Sequence, residues 1–133
     1  MYRLPDGQLD IYAVFCPLKE SLDGDNRFFR WAAAIPWEQL EQEWSERLYP
    51  KRGAPATTLR QTLGLCLIRE KFGLSDREVI QQTAENPYMQ YFVGLKEFTS
   101  KPLCSTKLLI RFRQRMDREA QRELKRMVRE LMK

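Results

Sequence analysis

The sequence has no histidine and few cysteines, and these absences exclude several kinds of site. None of its 133 residues is His and three are Cys. Cys16, Cys66 and Cys104 lie far apart in the chain, so the sequence predicts neither a Cys/His zinc site nor a disulfide framework. There is no nucleophile–base pair that uses histidine and no glycine-rich loop that would cradle a phosphate. We therefore expect no complete active site, no metal and no cofactor in this chain.

Long apolar segments are also missing. The N-terminus, MYRLPDGQLD, lacks the hydrophobic core of a signal peptide. No apolar run approaches the roughly 18–20 residues that cross a membrane. Together with the sparse cysteines, which are typical of a reducing compartment, this predicts a cytoplasmic protein that has no membrane partner and no small-molecule substrate.

The charges that are present are distributed unevenly. Residues 1–50 contain five Lys or Arg and nine Asp or Glu, a net charge of −4. Residues 51–133 contain 18 and nine, a net charge of +9. A chain polarised in this way favours a polyanionic partner on one face.

The strongest pattern lies in residues 105–133, which contain neither Pro nor Gly and start with Ser105, a favourable N-cap. At about 100° per residue they predict one long helix with two stripes. The apolar stripe consists of Leu109, Phe112, Met116, Ala120, Leu124, Met127 and Leu131. The basic stripe consists of Lys107, Arg111, Arg115, Arg118, Arg122, Lys125 and Arg129. The apolar stripe predicts a core contact, whereas the basic stripe is compatible with a solvated face or with a face that binds phosphate.

Shorter helices are predicted in the first half of the chain. Residues 1–26 have the turn signals of an irregular arm, in which residues 11–16 could form a strand that packs on the domain or pairs with a second copy. Asn26 is a candidate cap for the next helix. An acidic helix follows Pro36, with Trp37 on its apolar face, and we expect it not to contact DNA.

The middle of the chain predicts a buried helix and two short ones. The buried helix starts after Thr57 or Thr58 and runs to about residue 72, since its apolar residues occupy more than one side. Ser75 and Glu78 have the spacing of a capping box, which predicts a helix to about residue 85. Asn86 is a candidate cap for a further short helix. A loop then leads to residue 105, so the order of elements is similar to that of a helix-turn-helix domain.

Several motifs carry a more specific resemblance. They are Ile35-Pro36-Trp37, residues 53–55, GLSDRE at residues 73–78, ENPYMQYFVGL at residues 85–95, and Phe112-Arg113. In this order and spacing, over roughly residues 2–118, the chain resembles the N-terminal domain of bacterial insertion-sequence transposases of the DDE type, insertion-sequence-five kind.

The resemblance implies an all-α, compact multi-helix domain that binds double-stranded DNA at the terminal inverted repeats of a mobile element. In this family an RNase-H-like catalytic domain with three metal-binding acids follows, and these 133 residues do not contain it. We therefore expect an arm at residues 1–26, a helical DNA-binding domain at 27–117, and a helical extension or linker at 118–133.

Individual DNA contacts follow from placing the DNA-reading element of the family at the helix that starts after Ser105. The first turn of a recognition helix usually faces base edges, and later residues follow the backbone. The candidates for base or near-base contacts are Ser105, Thr106, Lys107 and Arg111. The candidates for phosphate contacts are Lys101, Arg115, Arg118 and Arg122.

Arg113 differs from these because it falls on the apolar side of the same helix. A buried arginine requires a carboxylate partner. Our hypothesis is that Arg113 pairs with Glu78 or Glu85 on the helix capped by Ser75, and so holds the DNA-binding helix in place. An arginine half exposed at the edge of the helix is the alternative.

Two other functions are compatible with the sequence. The helix beyond residue 117 could pair with a second copy through Leu124, Met127 and Leu131, which would make the chain a homodimer or an interaction module. A truncated or domesticated transposase could instead act as a DNA-binding repressor.

Overall fold

The computed structural model describes residues 18–50 and 58–133, and every regular element in these ranges is a helix. This confirms the all-α prediction, while the possible strand at residues 11–16 lies outside the described residues. The elements are α1 (Leu18–Ser21), α2 (Arg27–Ala34), α3 (Trp37–Leu48), α4 (Leu59–Phe72), α5 (Asp76–Glu85), α6 (Pro87–Phe92), α7 (Thr106–Gln114) and α8 (Arg118–Leu131).

The helix ends follow from local side-chain chemistry. Asn26 accepts a hydrogen bond from the Phe28 N–H at 2.9 Å, and so starts α2. Thr58, one of two candidate caps, accepts from the Gln61 N–H at 3.2 Å at the start of α4. Gly73 ends α4 with a φ of 66°, a left-handed conformation that favours glycine.

The buried helix of the sequence pattern is α4, and it is central. Residues 62–68 are all buried, and α3, α5, α7 and α8 pack around them. Gly64 lies against Val93, because a Cβ on Gly64 would be 2.8 Å from the Val93 Cγ1. Glycine at this position therefore permits the chain after α6 to lie directly on α4.

Aromatic residues fill the space between α2, α3 and α6. Phe28 contacts Trp31 with ring centroids 5.1 Å apart, and Phe29 stacks on Tyr91 at 3.9 Å. Trp37 is buried, and its Nε1 donates to the Ala32 carbonyl at 3.0 Å. This hydrogen bond satisfies the polar atom of a core tryptophan and joins α3 to α2.

The first half of the chain differs from the sequence prediction at α1. Part of the predicted irregular arm forms a one-turn helix, in which Leu18 is buried. The Leu18 N–H donates to the Lys96 carbonyl at 2.8 Å. Burial of Leu18 and this hydrogen bond fix the turn on the domain.

The prediction of one long C-terminal helix is wrong, because residues 105–133 form two helices. Helix α7 ends at Gln114, and Asp117 starts α8 by accepting a hydrogen bond from the Ala120 N–H at 2.8 Å. Asp117 has an extended backbone, which the N-cap position requires. Both helices nevertheless bury the predicted apolar stripe at Leu109, Phe112, Met116, Ala120, Leu124 and Met127.

Candidate nucleic-acid interface

Helix α7 presents its first turn to solvent because its other side is buried. Leu109 and Phe112 are buried where α7 packs on α4 and α5. The Ser105 hydroxyl accepts from the Leu108 N–H at 3.1 Å and so caps the helix. Thr106, Lys107 and Arg111 remain exposed on the outer side. The N-terminal turn of α7 is therefore free to meet a ligand.

Arg113 points the other way, into a junction formed by α4, α5 and α7. Its Nε donates to the Asp76 Oδ1 at 2.7 Å and its Nη2 to the Oδ2 at 2.5 Å. These bonds raise the pKa of Arg113. The Arg69 Nε lies 3.2 Å from the same Oδ1, but is not aligned for a hydrogen bond, so this contact is an ion pair only. We call Asp76, Arg69 and Arg113 the Asp76 junction.

The predicted partner of Arg113 was wrong, although the predicted helix was right. Glu78 is engaged locally, since its Oε1 accepts from the Ser75 N–H at 3.1 Å and completes the capping box. That backbone hydrogen bond lowers the pKa of Glu78. Glu85 lies at the far end of α5. Asp76, in the first turn, is the acid that faces α7.

Arg115 is engaged within the fold, in contrast to the other predicted phosphate contacts. Its Nη1 donates to the Leu48 carbonyl at 2.7 Å, and its guanidinium lies 4.3 Å from the centre of the Tyr49 ring. It thereby satisfies a carbonyl at the C-terminal end of α3.

Arg47 of α3 contacts the start of α8. Its Nη2 lies 3.5 Å from the Asp117 Oδ1, and its Nη1 lies 3.4 Å from the Glu123 Oε2. The end of α3 therefore lies against the junction between α7 and α8.

Helix α8 contributes a second set of exposed cations. Arg118, Gln121, Arg122 and Lys125 line an open groove of about 360 Å³. Further along the helix, Arg126 and Arg129 lie 3.0 and 3.7 Å from Glu130. The cations near the start of α8 are thus those least neutralised by neighbouring acids.

We define the basic face as Lys107, Arg111, Arg118, Arg122 and Lys125. Within residues 18–50 and 58–133, none of these cations lies within 4.0 Å of a carboxylate oxygen. All five side chains are exposed, as is Lys101 in the preceding loop. Exposed cations without an acid partner can neutralise phosphates at no cost in broken ion pairs.

The sequence analysis did not select Lys125, although the basic stripe contained it. It lies three positions after Arg122, a spacing that places both on one helix face. The sequence analysis also did not identify Asp76 as the partner of Arg113, because the sequence alone does not distinguish among the three acids in α5. Only the packing of α7 across the start of α5 selects among them.

The proposed contact between two copies is not available at the predicted residues. Leu124 and Met127 are buried in the core of their own chain, and Leu131 is half-buried. Since α8 packs on α4, the apolar stripe already has a partner. Pairing of two copies through these three residues would require α8 to leave the core.

The metal-binding and nucleophilic side chains of the described residues form no second candidate site. In the described part of the chain, no group of three or more His, Cys, Asp or Glu side chains is placed to hold a metal ion. Burial raises the pKa of the Cys66 thiol to about 12, so it stays protonated at neutral pH. No helix among the described residues is long and apolar enough to span a bilayer.

Comparison with known proteins gives a family for most of the chain. Residues 17–115 match the profile of a transposase domain (DUF772). A Rhizobium meliloti protein described as "Uncharacterized protein ORF8 in nfe locus" is 30% identical over 95 residues. That alignment covers 71% of this chain and 45% of the relative, so this chain spans less than half of the relative's length. No solved structure matches.

Proposed function

Because this chain belongs to the family of transposase domains, we propose that it binds double-stranded DNA and recognises the terminal inverted repeats of a mobile element. The observation that carries this proposal is the basic face, whose five cations are exposed and lack acid partners among the described residues. In the proposal α7 is the recognition helix and α8 contacts the DNA backbone.

The recognition helix would use its exposed first turns. Ser105, Thr106, Lys107 and Arg111 are the proposed contacts to bases or to groups near them, because the N-terminal residues of such a helix reach furthest into the major groove. A lysine or arginine can donate to guanine O6 and N7, which gives sequence discrimination. Arg113 lies on the opposite side and would keep the orientation of α7 through Asp76.

Backbone contacts would come from the elements on either side. Lys101 precedes α7, and Arg118, Arg122 and Lys125 follow it on α8. Each phosphate that such a side chain neutralises releases counterions and adds to the salt dependence of binding. Arg115 is not included, because its guanidinium is engaged with Leu48 and Tyr49.

The acidic side of the molecule would be directed away from the DNA. Glu38, Glu41 and Glu46 of α3 line a separate groove of about 630 Å³. Carboxylates repel phosphate, so the charge distribution limits the orientations in which a duplex can approach. Following the family resemblance, strand cleavage would be the task of a separate catalytic domain, and this chain would supply DNA recognition.

A titration with DNA tests this function. The inverted repeats that flank the gene and a scrambled duplex of equal length would be titrated with the chain at several salt concentrations. We expect tighter binding to the repeat and a steep loss of affinity with salt. Equal affinity for both duplexes at every salt concentration would contradict sequence-specific recognition.

A matched pair of variants locates the surface. Lys107→Ala should weaken binding to the repeat, whereas Arg30→Ala should not, because Arg30 is also an exposed cation but lies on α2, outside the basic face. If both variants lose affinity to the same extent, DNA binding is nonspecific attraction to positive charge and the assignment of the basic face is wrong.

A further inference from the structure

A second feature lies in the loop that leads into α7 and is not part of the basic face. Phe98 lies in the loop between α6 and α7, and its residue is 46% exposed. Among the described residues it is the single large hydrophobic residue that is exposed. Individual exposed apolar residues are common on protein surfaces, so exposure alone indicates nothing. The loop that holds Phe98 supplies the argument.

This loop is fixed on both sides of Phe98. On the N-terminal side, the Leu95 N–H donates to the Gln90 carbonyl at 3.0 Å, and the Lys96 carbonyl accepts from the Leu18 N–H at 2.8 Å. On the C-terminal side, the Lys101 N–H donates to the Thr99 hydroxyl at 3.2 Å. The backbone at Phe98 is therefore held between anchored residues.

The strongest anchor is the buried side chain of Gln90. Its Oε1 accepts from the Thr99 N–H at 2.9 Å, and its Nε2 donates to the Thr99 carbonyl at 2.7 Å and to the Thr83 carbonyl at 2.9 Å. Burying a glutamine is unfavourable unless its polar atoms are paired, and here both are. A buried amide thus fixes the residue next to Phe98 to the end of α5.

The neighbours of Phe98 indicate what its ring meets. Lys96 and Lys101 lie on either side in the loop, both are exposed, and neither has an ion-pair partner among the described residues. The same loop leads directly into Ser105 and the first turn of α7. The exposed Glu97 directly precedes the ring. An exposed ring with a lysine on either side, in a loop that leads into a helix with a basic outer side, nevertheless has the composition of surfaces that combine phosphate contacts with aromatic contacts to bases.

We propose that Phe98 is a wedge that inserts at a base step next to the DNA segment bound by α7. This inference depends on the proposed function, since it needs bound DNA. A loop whose backbone is already held in place loses little conformational entropy on binding, and the hydrogen bonds on both sides of Phe98 would provide this. Phe98 would add affinity by partly unstacking one step, while Lys96 and Lys101 contact the flanking phosphates.

The test compares three variants on a duplex that the wild-type chain selects from a random pool. Phe98→Ala should bind about tenfold or more weakly, with an unchanged salt slope, because a ring releases no counterions. Phe98→Tyr should bind like wild type, because it keeps the ring. Lys101→Ala should lower the salt slope by about one. Since Phe98 is exposed, circular dichroism should show that all three variants remain folded.

Permanganate oxidation of thymines provides an independent readout, because it attacks unstacked bases. We expect increased reactivity at one step of the duplex with wild type and with Phe98→Tyr, and its loss with Phe98→Ala at saturating protein.

Unchanged affinity and an unchanged oxidation pattern in Phe98→Ala would overturn the wedge while leaving the proposed function intact. If wild type selects no duplex, the proposed function fails and the wedge with it. Sedimentation without DNA gives the remaining outcome: self-association lost in Phe98→Ala, with DNA affinity unchanged, would make Phe98 a protein contact and overturn the inference.

Discussion

The Asp76 junction and the basic face contain the same kind of side chain in opposite surroundings. Arg113 and Arg111 are two residues apart on α7, yet Arg113 binds Asp76 through two hydrogen bonds whereas Arg111 has no acid partner among the described residues. The difference depends on which helix face each residue occupies and on one aspartate contributed by α5. In an arginine-rich helix, the arginines that pair with acids therefore have to be identified before any arginine is assigned to a ligand.

Removing the acid should give the largest effect. We expect Asp76→Ala to lower the free energy of unfolding by about 2–3 kcal/mol, because two guanidinium groups lose their counter-charge. The value is below that of a fully buried pair, since the side chains of Arg113 and Arg69 are 33% and 28% exposed. Urea denaturation measures it, with Asp25→Ala as an exposed-acid control. A loss below about 0.5 kcal/mol would show that the junction does not stabilise the fold.

Removing the unpaired arginine should change DNA binding and leave stability as it is. Arg111→Ala is expected to weaken binding to repeat DNA by about five- to tenfold, or roughly 1 kcal/mol, and to lower the salt slope by about one. Arg113→Ala, the matched variant on the same helix, should lower the midpoint of urea unfolding, which Arg111→Ala should not. If Arg111→Ala and Arg113→Ala change the DNA affinity and the urea midpoint in the same way, the distinction between the unpaired and the paired arginine is wrong.

Arg115 provides an intermediate case, because it lies near the basic face and is engaged with the end of α3. We expect Arg115→Ala to cost about 1 kcal/mol of stability through the lost hydrogen bond to the Leu48 carbonyl. Its DNA affinity should change less than that of Arg118→Ala, measured in the same titration. A larger affinity loss in Arg115→Ala would mean that the guanidinium leaves Leu48 when DNA binds.

The smallest expected effect concerns Glu78, the acid that Arg113 does not use. The Ser75 N–H holds the pKa of Glu78 below its usual value of 4.5, so the ionised side chain stabilises the fold above that pH. This contribution should disappear as the pH falls through the lowered pKa. The difference in urea midpoint between wild type and Glu78→Gln should therefore be small at pH 7 and vanish in acid. A difference that persists to pH 2 would show that charge is not its cause.

Local sequence signals predicted most of the helix ends, because caps depend on neighbouring residues. Asn26, Ser75 and Ser105 each accept a backbone hydrogen bond within three residues, so their effect can be inferred without knowledge of the fold. The break before Asp117 was not predicted, because the apolar stripe continues across it. An aspartate followed by Arg-Glu-Ala is also acceptable inside a helix, so the cap that Asp117 forms with the Ala120 N–H cannot be told from a helix interior by sequence alone.

The candidate site was predicted less completely than the helix ends, because several of its contacts join residues that are far apart in the sequence. The exposed positions of Lys107 and Arg111 follow from helical periodicity, since the apolar residues fix which side is buried. The engagement of Arg115 depends on where α3 ends, 67 residues earlier in the chain. The position of Phe98 depends on Gln90, whose burial has no local signature. Contacts between segments distant in sequence therefore determine the positions of side chains that helical periodicity does not predict.

The last residues of the chain have a consequence for the kinetics of folding. The Trp31 Nε1 donates to the Lys133 carbonyl at 3.0 Å across 102 positions of sequence, and Met132 beside it is fully buried. Closing so long a loop has a high entropic cost, so this contact should form after the folding transition state. Removal of residues 132–133 should then accelerate unfolding and leave the refolding rate nearly unchanged, which stopped-flow fluorescence can measure. The lifetime of the folded chain would thus depend on two residues that contribute nothing to how quickly it forms.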